Sequence, residues 1–429
     1  MTSELILSSE FLLWIGVAIT SVTLLHAMVM LFSAMNRQRV AARQKSTELE
    51  LLTEKVRAKR IHRVAESERI DHVWSGFRKF QISQKDKEGG GIASFYLTPH
   101  DGKPMPSFKP GQYLTFRLKV PNSAKPIIRC YSLSDSPKKA SDYYRVSIKK
   151  IPPPRDKPEL PSGVSSSYFH DSLEVGDILD VRTPSGNFFL DEEQNTPVVL
   201  IGGGVGITPV LSMLNAICDR RSNREVWFFY GVRNRDEHIM VEHLKQIEAE
   251  HDNVHLRVCY SQPGDEPENE RNYHHGEMVS VDLFKRCLPS NNFDFYICGP
   301  PPMMTALVND LGEWGVPEQH IHFEAFGPAS VKKVTPPSEQ VESAPACTVE
   351  FARSGKRLEW QEGKGTVLEI AEAAGIEIDS GCRAGSCGTC MTAIKAGEVR
   401  YLDTPSASLE SGSCLPCIAV PKTDVTIDA

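Results

Sequence analysis

Cys382-Arg-Ala-Gly-Ser-Cys387-Gly-Thr-Cys390 decides how this chain is read. Cysteines separated by four and then two residues follow the C-x4-C-x2-C spacing that holds a [2Fe-2S] cluster. Three thiolates converging on so small a group force the backbone to wrap tightly. Gly381, Gly385 and Gly388 are expected to supply the dihedral freedom for that wrap. The small residues between the cysteines leave backbone N–H groups room to approach the sulfurs. A fourth ligand is required, and Cys414-Leu-Pro-Cys417-Ile-Ala-Val-Pro offers two candidates. Cys417 lies in an apolar, strand-like run and is preferred; Cys414 is the reserve. A zinc site would favour two separated C-x2-C pairs.

Eleven cysteines in 429 residues fall below the density of a disulfide scaffold. Outside the cluster set, Cys130, Cys218, Cys259, Cys287, Cys298 and Cys347 are scattered, as free thiols in a reducing compartment would be. The length predicts about two to four domains. An apolar fraction of 40%, a charged fraction of 24% and a net charge of -7 describe globular protein and give no footprint for nucleic acid.

The N-terminal part departs from that pattern. No charged residue occurs between Phe11 and Asn36, and the run FLLWIGVAITSVTLLHAMVMLF is long enough to span a bilayer as a helix. A cleaved signal would have a basic start and a shorter apolar run, whereas Glu4 and Glu10 precede this one. The reading is a single-pass anchor over 11–35. Arg37, Arg39, Arg43 and Lys45 follow it, which places the catalytic bulk in the cytoplasm. His26 within the span reads as a tolerated polar residue. Residues 36–75 read as a charged, helix-favouring stalk.

From 76 to 192 short alternating runs, such as Phe80–Ser83, Ala93–Leu97, Gln112–Leu118 and Tyr144–Lys149, predict an antiparallel barrel. A proline-rich loop begins at Ile151, and Ser165–Leu173 reads as a short helix. From 193 to 330 the texture changes to apolar strands at Val198–Ile201, Glu225–Tyr230, His255–Tyr260 and Phe293–Cys298, alternating with helical stretches. That is the layout of a doubly wound α/β domain. Residues 331–346 form a Pro/Ser-rich linker, and 347–429 carry the cluster loop.

Four strings bear on chemistry. Arg129-Cys130-Tyr131-Ser132 offers an arginine for a phosphate, a tyrosine to stack on a flat ring and a serine for a ring nitrogen. Gly163-Val164-Ser165-Ser166-Ser167 opens the short helix with bare N–H groups and hydroxyls, an anion site or simply a serine cap. Ile201-Gly-Gly-Gly204-Val-Gly206-Ile-Thr208-Pro209 joins a buried strand to a helix, and its glycines would let a pyrophosphate approach the backbone. Cys298-Gly299-Pro300 ends a further strand at the carboxyl edge of the sheet, where ligands collect.

Taken together, these strings resemble the ferredoxin–NADP reductase superfamily over roughly 76–330. Within it the likeness is to the reductase part of flavohaemoglobins, which shares the look of RxYSLSD, GxVSxxxHD and HFExFGP. The loop at 382–390 resembles that of plant-type ferredoxins. The resemblance implies a multidomain chain: a transmembrane helix, an antiparallel β-barrel flavin domain, a doubly wound α/β NAD domain and a β-grasp [2Fe-2S] ferredoxin domain. It further implies that Arg129, Tyr131 and Ser132 hold the flavin, with Gly163, Val164 and Ser165 facing its pyrophosphate. Gly204, Gly206, Thr208 and Pro209 would hold the nicotinamide dinucleotide, and Cys298 and Gly299 would line the nicotinamide pocket. Phe326 would lie near the isoalloxazine. Ser132, Cys298 and Glu324 are the catalytic candidates. The GVSSSYFHD string looks like the FAD type, although the phthalate-dioxygenase-reductase group has the same domain order and uses FMN. Arg233 and Arg235 follow the second strand, where a 2′-phosphate would sit; similar strings occur in NADH users, so NADH is expected over NADPH. This stretch of chain contains no globin, so nitric-oxide dioxygenation is not carried over.

One chemical purpose unites these parts. A hydride carries two electrons, a cluster accepts one, and a flavin mediates between them. The expected route runs from NADH to flavin, to [2Fe-2S], to an oxygenase, hydroxylase or desaturase near a membrane. Residues 347–429 hold eight Lys/Arg against twelve Asp/Glu, which suits a basic partner surface. Two alternatives stand beside it. One is a respiratory subunit similar to the electron-input subunit of the sodium-translocating NADH–quinone reductase, where the cluster domain precedes the flavin domain instead. The other is a redox sensor, for which intact nicotinamide strings would be superfluous.

Overall fold

The fold is described from a computed structural model. The described residues are 13–33, 35–36, 72–121, 123, 125–153, 158–159, 161–265, 267, 271–326, 347–385, 387–402, 405, 407 and 409–429. The chain divides into two compact units, Met1–Asp71 and His72–Ala429. In the first, α1 (Leu13–Ser33) is a 21-residue helix of mean hydropathy 2.1, long and apolar enough to cross a membrane. Most of the stalk expected over 36–75, and the whole linker at 331–346, lie outside the described residues.

The second unit opens with an antiparallel sheet of six strands: β1 (Arg78–Gly89), β2 (Ile92–Pro99), β3 (Tyr113–Leu118), β4 (Ile127–Ser132), β5 (Tyr144–Lys149) and, after α2 (Val164–Asp171), β6 (Ile178–Val181). Their order is β4-β3-β6-β1-β2-β5. A bridge between Leu133 and Val146 joins the two edges and closes the sheet into a barrel. Phe80, Phe95, Phe116, Tyr144 and Phe169 fill it, all fully buried.

Next comes a five-stranded sheet, parallel throughout. It contains β7 (Val198–Gly203), α3 (Ile207–Asp219), β8 (Val226–Val232), α4 (Val241–Glu250), β9 (Val254–Tyr260), α5 (Val281–Cys287), β10 (Asp294–Gly299), α6 (Pro301–Glu313) and β11 (Ile321–Ala325). Every residue of β7 is buried. That continuous apolar run follows from helices covering both faces of a parallel sheet. The order β11-β10-β7-β8-β9 reverses direction between β7 and β10. The carboxyl ends of these two strands form the crevice where α/β sheets bind ligands.

The last part is a mixed sheet ordered β13-β12-β18-β14-β16 with a small β15-β17 ribbon. Its elements are β12 (Cys347–Phe351), β13 (Lys356–Trp360), α7 (Val367–Ala373), β14 (Thr392–Ala396), β15 (Val399–Tyr401), β16 (Ser413–Cys414), β17 (Ala419–Pro421) and β18 (Val425–Ile427). Thr366 and Glu369 make a reciprocal capping box at the start of α7. The cysteine loop runs between α7 and β14.

Candidate functional site

A cavity of about 520 Å3 lies where the barrel, the parallel sheet and the cysteine loop meet. Its volume is in the range of a cofactor site. The barrel contributes Arg129, Tyr131 and Ser132 from β4 and Gly163, Val164 and Ser165 from the start of α2. The parallel sheet contributes Thr208, Glu324 and the exposed ring of Phe326, and the cysteine loop contributes Ser380, Gly381, Cys382 and Arg383. Tyr113, Cys130, Lys149 and Val205 also line it, and the sequence reading had not singled these out.

Local folding explains the arrangement. The Tyr131 hydroxyl and Ser165 Oγ lie 2.8 Å apart, so one hydrogen bond ties β4 to α2. Gly163, not a serine, occupies the helix N-cap, and no side chain caps it. Ser166 Oγ instead donates to the Gly163 carbonyl and accepts from Ile151 N–H. A Cβ at Gly163 would stand 2.8 Å from Ser166 Oγ, so glycine is needed there for packing.

The glycine turn after β7 has a reason that the sequence reading did not anticipate. A Cβ on Gly206 would fall 2.3 Å from the Cys298 carbonyl oxygen, and one on Gly203 would fall 2.7 Å from Met303 Sδ. These glycines allow the turn to press against the end of β10 and the start of α6, whatever they also do for a ligand. Gly204 is different, with φ +54 and open space beside it. The helix starts at Ile207, within the quoted string, and Thr208 Oγ1 donates to the Val205 carbonyl.

Not every candidate faces the cavity. Cys298 is fully buried in the core between the sheet and α3, and burial pushes its thiol well above the ordinary range. Such a thiol is not an accessible nucleophile. Its cross-strand neighbour is Glu324. Glu324 Oε2 is shielded from solvent and has no hydrogen-bond partner among the described residues. Burial, with a smaller contribution from Cys382, pushes this carboxyl up to about 8. Gly204, Gly206, Pro209, Arg233 and Gly299 are also outside the cavity wall. The Arg233 guanidinium is held by Glu237, with Nε 2.9 Å from Oε1, and Lys149 approaches the same carboxylate at 3.7 Å.

Asp135, the last residue of RxYSLSD, joins two parts of the fold. Its carboxylate accepts from Tyr143 Oη at 2.9 Å and Asn215 Nδ2 at 3.2 Å, and Arg145 lies 3.4 Å away. Its carbonyl accepts from Ser212 Oγ at 2.7 Å. Asn215 and Ser212 belong to α3, so this residue fixes the barrel against the helix that follows the glycine turn.

In the cysteine loop the backbone turns through positive φ at Arg383, Gly385 and Gly388. Gly381 does not share this property; its glycine is required because a Cβ would stand 3.0 Å from both Cys387 Sγ and Ile128 Cγ2. The N–H groups of Ala384 and Cys387 point at Cys382 Sγ at 3.4 and 3.3 Å, and Cys382 N–H points at Cys387 Sγ at 3.3 Å. Cys390 and Cys417 place their sulfurs 3.2 Å apart. Cys414 lies in a different core, with Val349, Phe351 and Trp360, and burial pushes its thiol up to about 12. Cys382 and Cys387 under N–H donors, and Cys390 paired with Cys417, form two thiol pairs that fit a [2Fe-2S] group, which would be held by these four cysteines. The cavity, with an unpartnered carboxyl oxygen at its wall, likewise fits a polar ring system.

The three parts each match a family. Residues 79–190 match the oxidoreductase FAD-binding domain, 200–309 the oxidoreductase NAD-binding domain and 349–422 the 2Fe-2S iron-sulfur cluster binding domain. The flavohem-like FAD/NAD-binding domain of nitric oxide dioxygenase from Vibrio cholerae is 32% identical. That likeness has a TM-score of 0.51 and covers 59% of this chain and 100% of that one. The chain belongs to the FAD- and NAD-binding oxidoreductases. The flavohemoprotein of Halalkalibacterium halodurans is 40% identical over 256 residues, 60% of this oxidoreductase and 61% of that protein. The chain thus spans about three fifths of the length of such curated relatives. An intact type IV self-sufficient cytochrome P450 monooxygenase shares the fold at 24% identity and a TM-score of 0.55. This match covers 82% of this oxidoreductase and 41% of that chain.

Proposed function

We propose that this oxidoreductase takes a hydride from NADH and delivers its electrons one at a time to an acceptor protein at a membrane, of the oxygenase, hydroxylase or desaturase class. The observation that carries the reading is the shared wall: Ser380–Arg383 of the cysteine loop line the same cavity as Arg129, Tyr131 and Ser165. Electrons leaving that cavity therefore have the cluster loop as their immediate neighbour. Flavin bound in the cavity would accept the electron pair together and release it singly, the conversion a one-electron cluster requires. The balance is one NADH oxidised to NAD+, two single electrons passed on, and one proton released.

The chain's own residues would bind, orient and exclude water. Arg129, Tyr131, Ser132, Gly163, Val164 and Ser165 hold the FAD, and Phe326 covers its ring. Gly204, Gly206, Thr208 and Pro209 would seat the dinucleotide against the carboxyl end of β10, with the Cys298–Gly299 backbone as the floor beneath the glycine turn. Burial favours the protonated form of Glu324, which would offer an O–H at the cavity wall. Arg233 is already neutralised by Glu237, which favours NADH, since a 2′-phosphate would have to displace that carboxylate. The helix Leu13–Ser33 serves as the anchor, with Arg37, Arg39 and Arg43 on the cytoplasmic side.

Anaerobic titration with NADH tests the reading. Flavin and cluster absorbance should both bleach, with the cluster accepting electrons that NADH alone supplied. NADH oxidation that leaves the cluster oxidised would contradict it. The acceptor itself is sought by pull-down from membranes.

A further inference from the structure

The face of the barrel beneath the cysteine loop carries a row of three side chains that the flavin reading does not use. Arg182, just past β6, donates its backbone N–H to the Thr115 carbonyl at 2.8 Å. Thr115 pairs in register with Cys130 of β4, and Thr115 Oγ1 lies 3.4 Å from Cys130 Sγ. Adjacent strands thus set Arg182, Thr115 and Cys130 side by side on one face. Thr115 is fully buried there. Ile128, two residues before Cys130 and on the same face by strand alternation, closes on Gly381, where an added Cβ would stand 3.0 Å from Ile128 Cγ2.

Arg182 reaches across this seam. Its Nη1 donates to the backbone carbonyl of Cys387. Its guanidinium lies 4.8 Å from the ring centroid of Phe77, whose other contact of the kind is Arg117 at 4.3 Å. Its Nε is buried and has no hydrogen-bond partner among the described residues. The grip of this side chain therefore rests on one hydrogen bond to a cluster cysteine and on the ring that holds its plane. A planar, stacked, hydrogen-bonded cation of this kind is an arginine role that lysine does not reproduce.

We propose that Arg182 is a positioning residue for electron transfer: braced by Phe77, it seats the Cys387 end of the cysteine loop on the barrel and so sets the approach of cluster to flavin cavity. This rests on the electron route proposed above and names the contact that maintains it. Arg182 is not among the residues that line the cavity; it acts through the Cys387 backbone.

The test compares the parent chain with Arg182→Ala, Arg182→Lys and Phe77→Leu, each checked for full iron and flavin content. NADH-driven ferricyanide reduction, which draws on the flavin, should be unchanged. Cytochrome c reduction through the cluster should fall about tenfold to a hundredfold in Arg182→Ala, as expected for small misplacement of reacting groups, and less in Arg182→Lys and Phe77→Leu. Hydrogen exchange, read on the same proteins without turnover, should rise at 380–390 and at 127–131 in Arg182→Ala. Should that variant fail to fold, Phe77→Leu carries the same two expectations in weaker form. Parental exchange and parental cytochrome c rates in the loaded variants would overturn the inference while leaving the route intact. A parent whose cluster NADH never reduces would overturn the route itself and the inference with it.

Discussion

Cys390 and Cys417 bring their sulfurs to 3.2 Å although 26 residues separate them in sequence. Leu415 and Ile418, both buried, pack with them in one small core, while Cys414 turns into the neighbouring one. Cys417→Ser should therefore lose the cluster, seen as loss of bound iron and of visible absorbance. Cys414→Ala should keep both, at a stability cost of about 1 kcal/mol for its small cavity. The opposite pairing of outcomes would move the fourth ligand to Cys414.

Asp135 ties Tyr143 and Arg145 of the barrel to Asn215 and Ser212 of α3. Arg145 is almost fully buried. Asp135→Ala strips that cation of its counter-charge, and breaking a buried pair in this way costs about 3 kcal/mol or more. The urea midpoint should fall accordingly, and NADH oxidation should weaken because the two halves of the cavity lose their common support. Asp135→Asn, which keeps the shape and one acceptor, should lie between. An unchanged midpoint in the alanine variant would remove Asp135 from this role.

Glu324 has a pH signature. Burial raises its carboxyl to about 8, so the folded chain keeps a proton that the unfolded chain releases in the ordinary carboxylate range. The folded state binds more protons through that window, so this group's contribution to stability declines as pH rises from about 4.5 towards 8 and is level beyond it. Below the window it is fully present. Glu324→Gln cannot titrate and should flatten this part of the profile of melting temperature against pH. It should also remove any inflection near pH 8 from NADH oxidation. An inflection that survives in the glutamine variant would assign it to another group.

Arg233 and Glu237 give a prediction on cofactor choice. The parent should use NADH better than NADPH, because Glu237 already occupies the guanidinium. Glu237→Ala frees Arg233, and NADPH kcat/KM should improve about tenfold, equivalent to about 1.4 kcal/mol. A parent that prefers NADPH would contradict the reading of this pair.

Much of this arrangement is legible in the sequence because it is local. The C-x4-C-x2-C spacing, the alternation in 80–149 and the buried run at 198–201 each encode their element within a few residues. Tyr131, Gly163, Thr208 and Glu324 were recognisable from strings that likewise keep their neighbours close. What escaped is long-range. Arg182 and Cys387 are 205 positions apart, and Asp135 and Asn215 are 80 apart; no periodicity announces such pairs. The glycines at 203 and 206 were visible in the sequence, but their packing role was not. Gly206 meets the end of β10 and Gly203 the start of α6, nearly a hundred residues downstream, and only the register of the parallel sheet reveals it. The string at Cys298 marks the end of β10, and the thiol lies in the core beside α3, a placement that the string itself does not disclose.

The central claim is that electrons leave the flavin cavity through the cysteine loop. Cys387→Ser tests it most directly, with NADH as donor and two acceptors measured side by side. The account predicts that ferricyanide reduction persists while cytochrome c reduction collapses together with the cluster absorbance. Cytochrome c reduction continuing at the parental rate in a chain that has lost its cluster would contradict it.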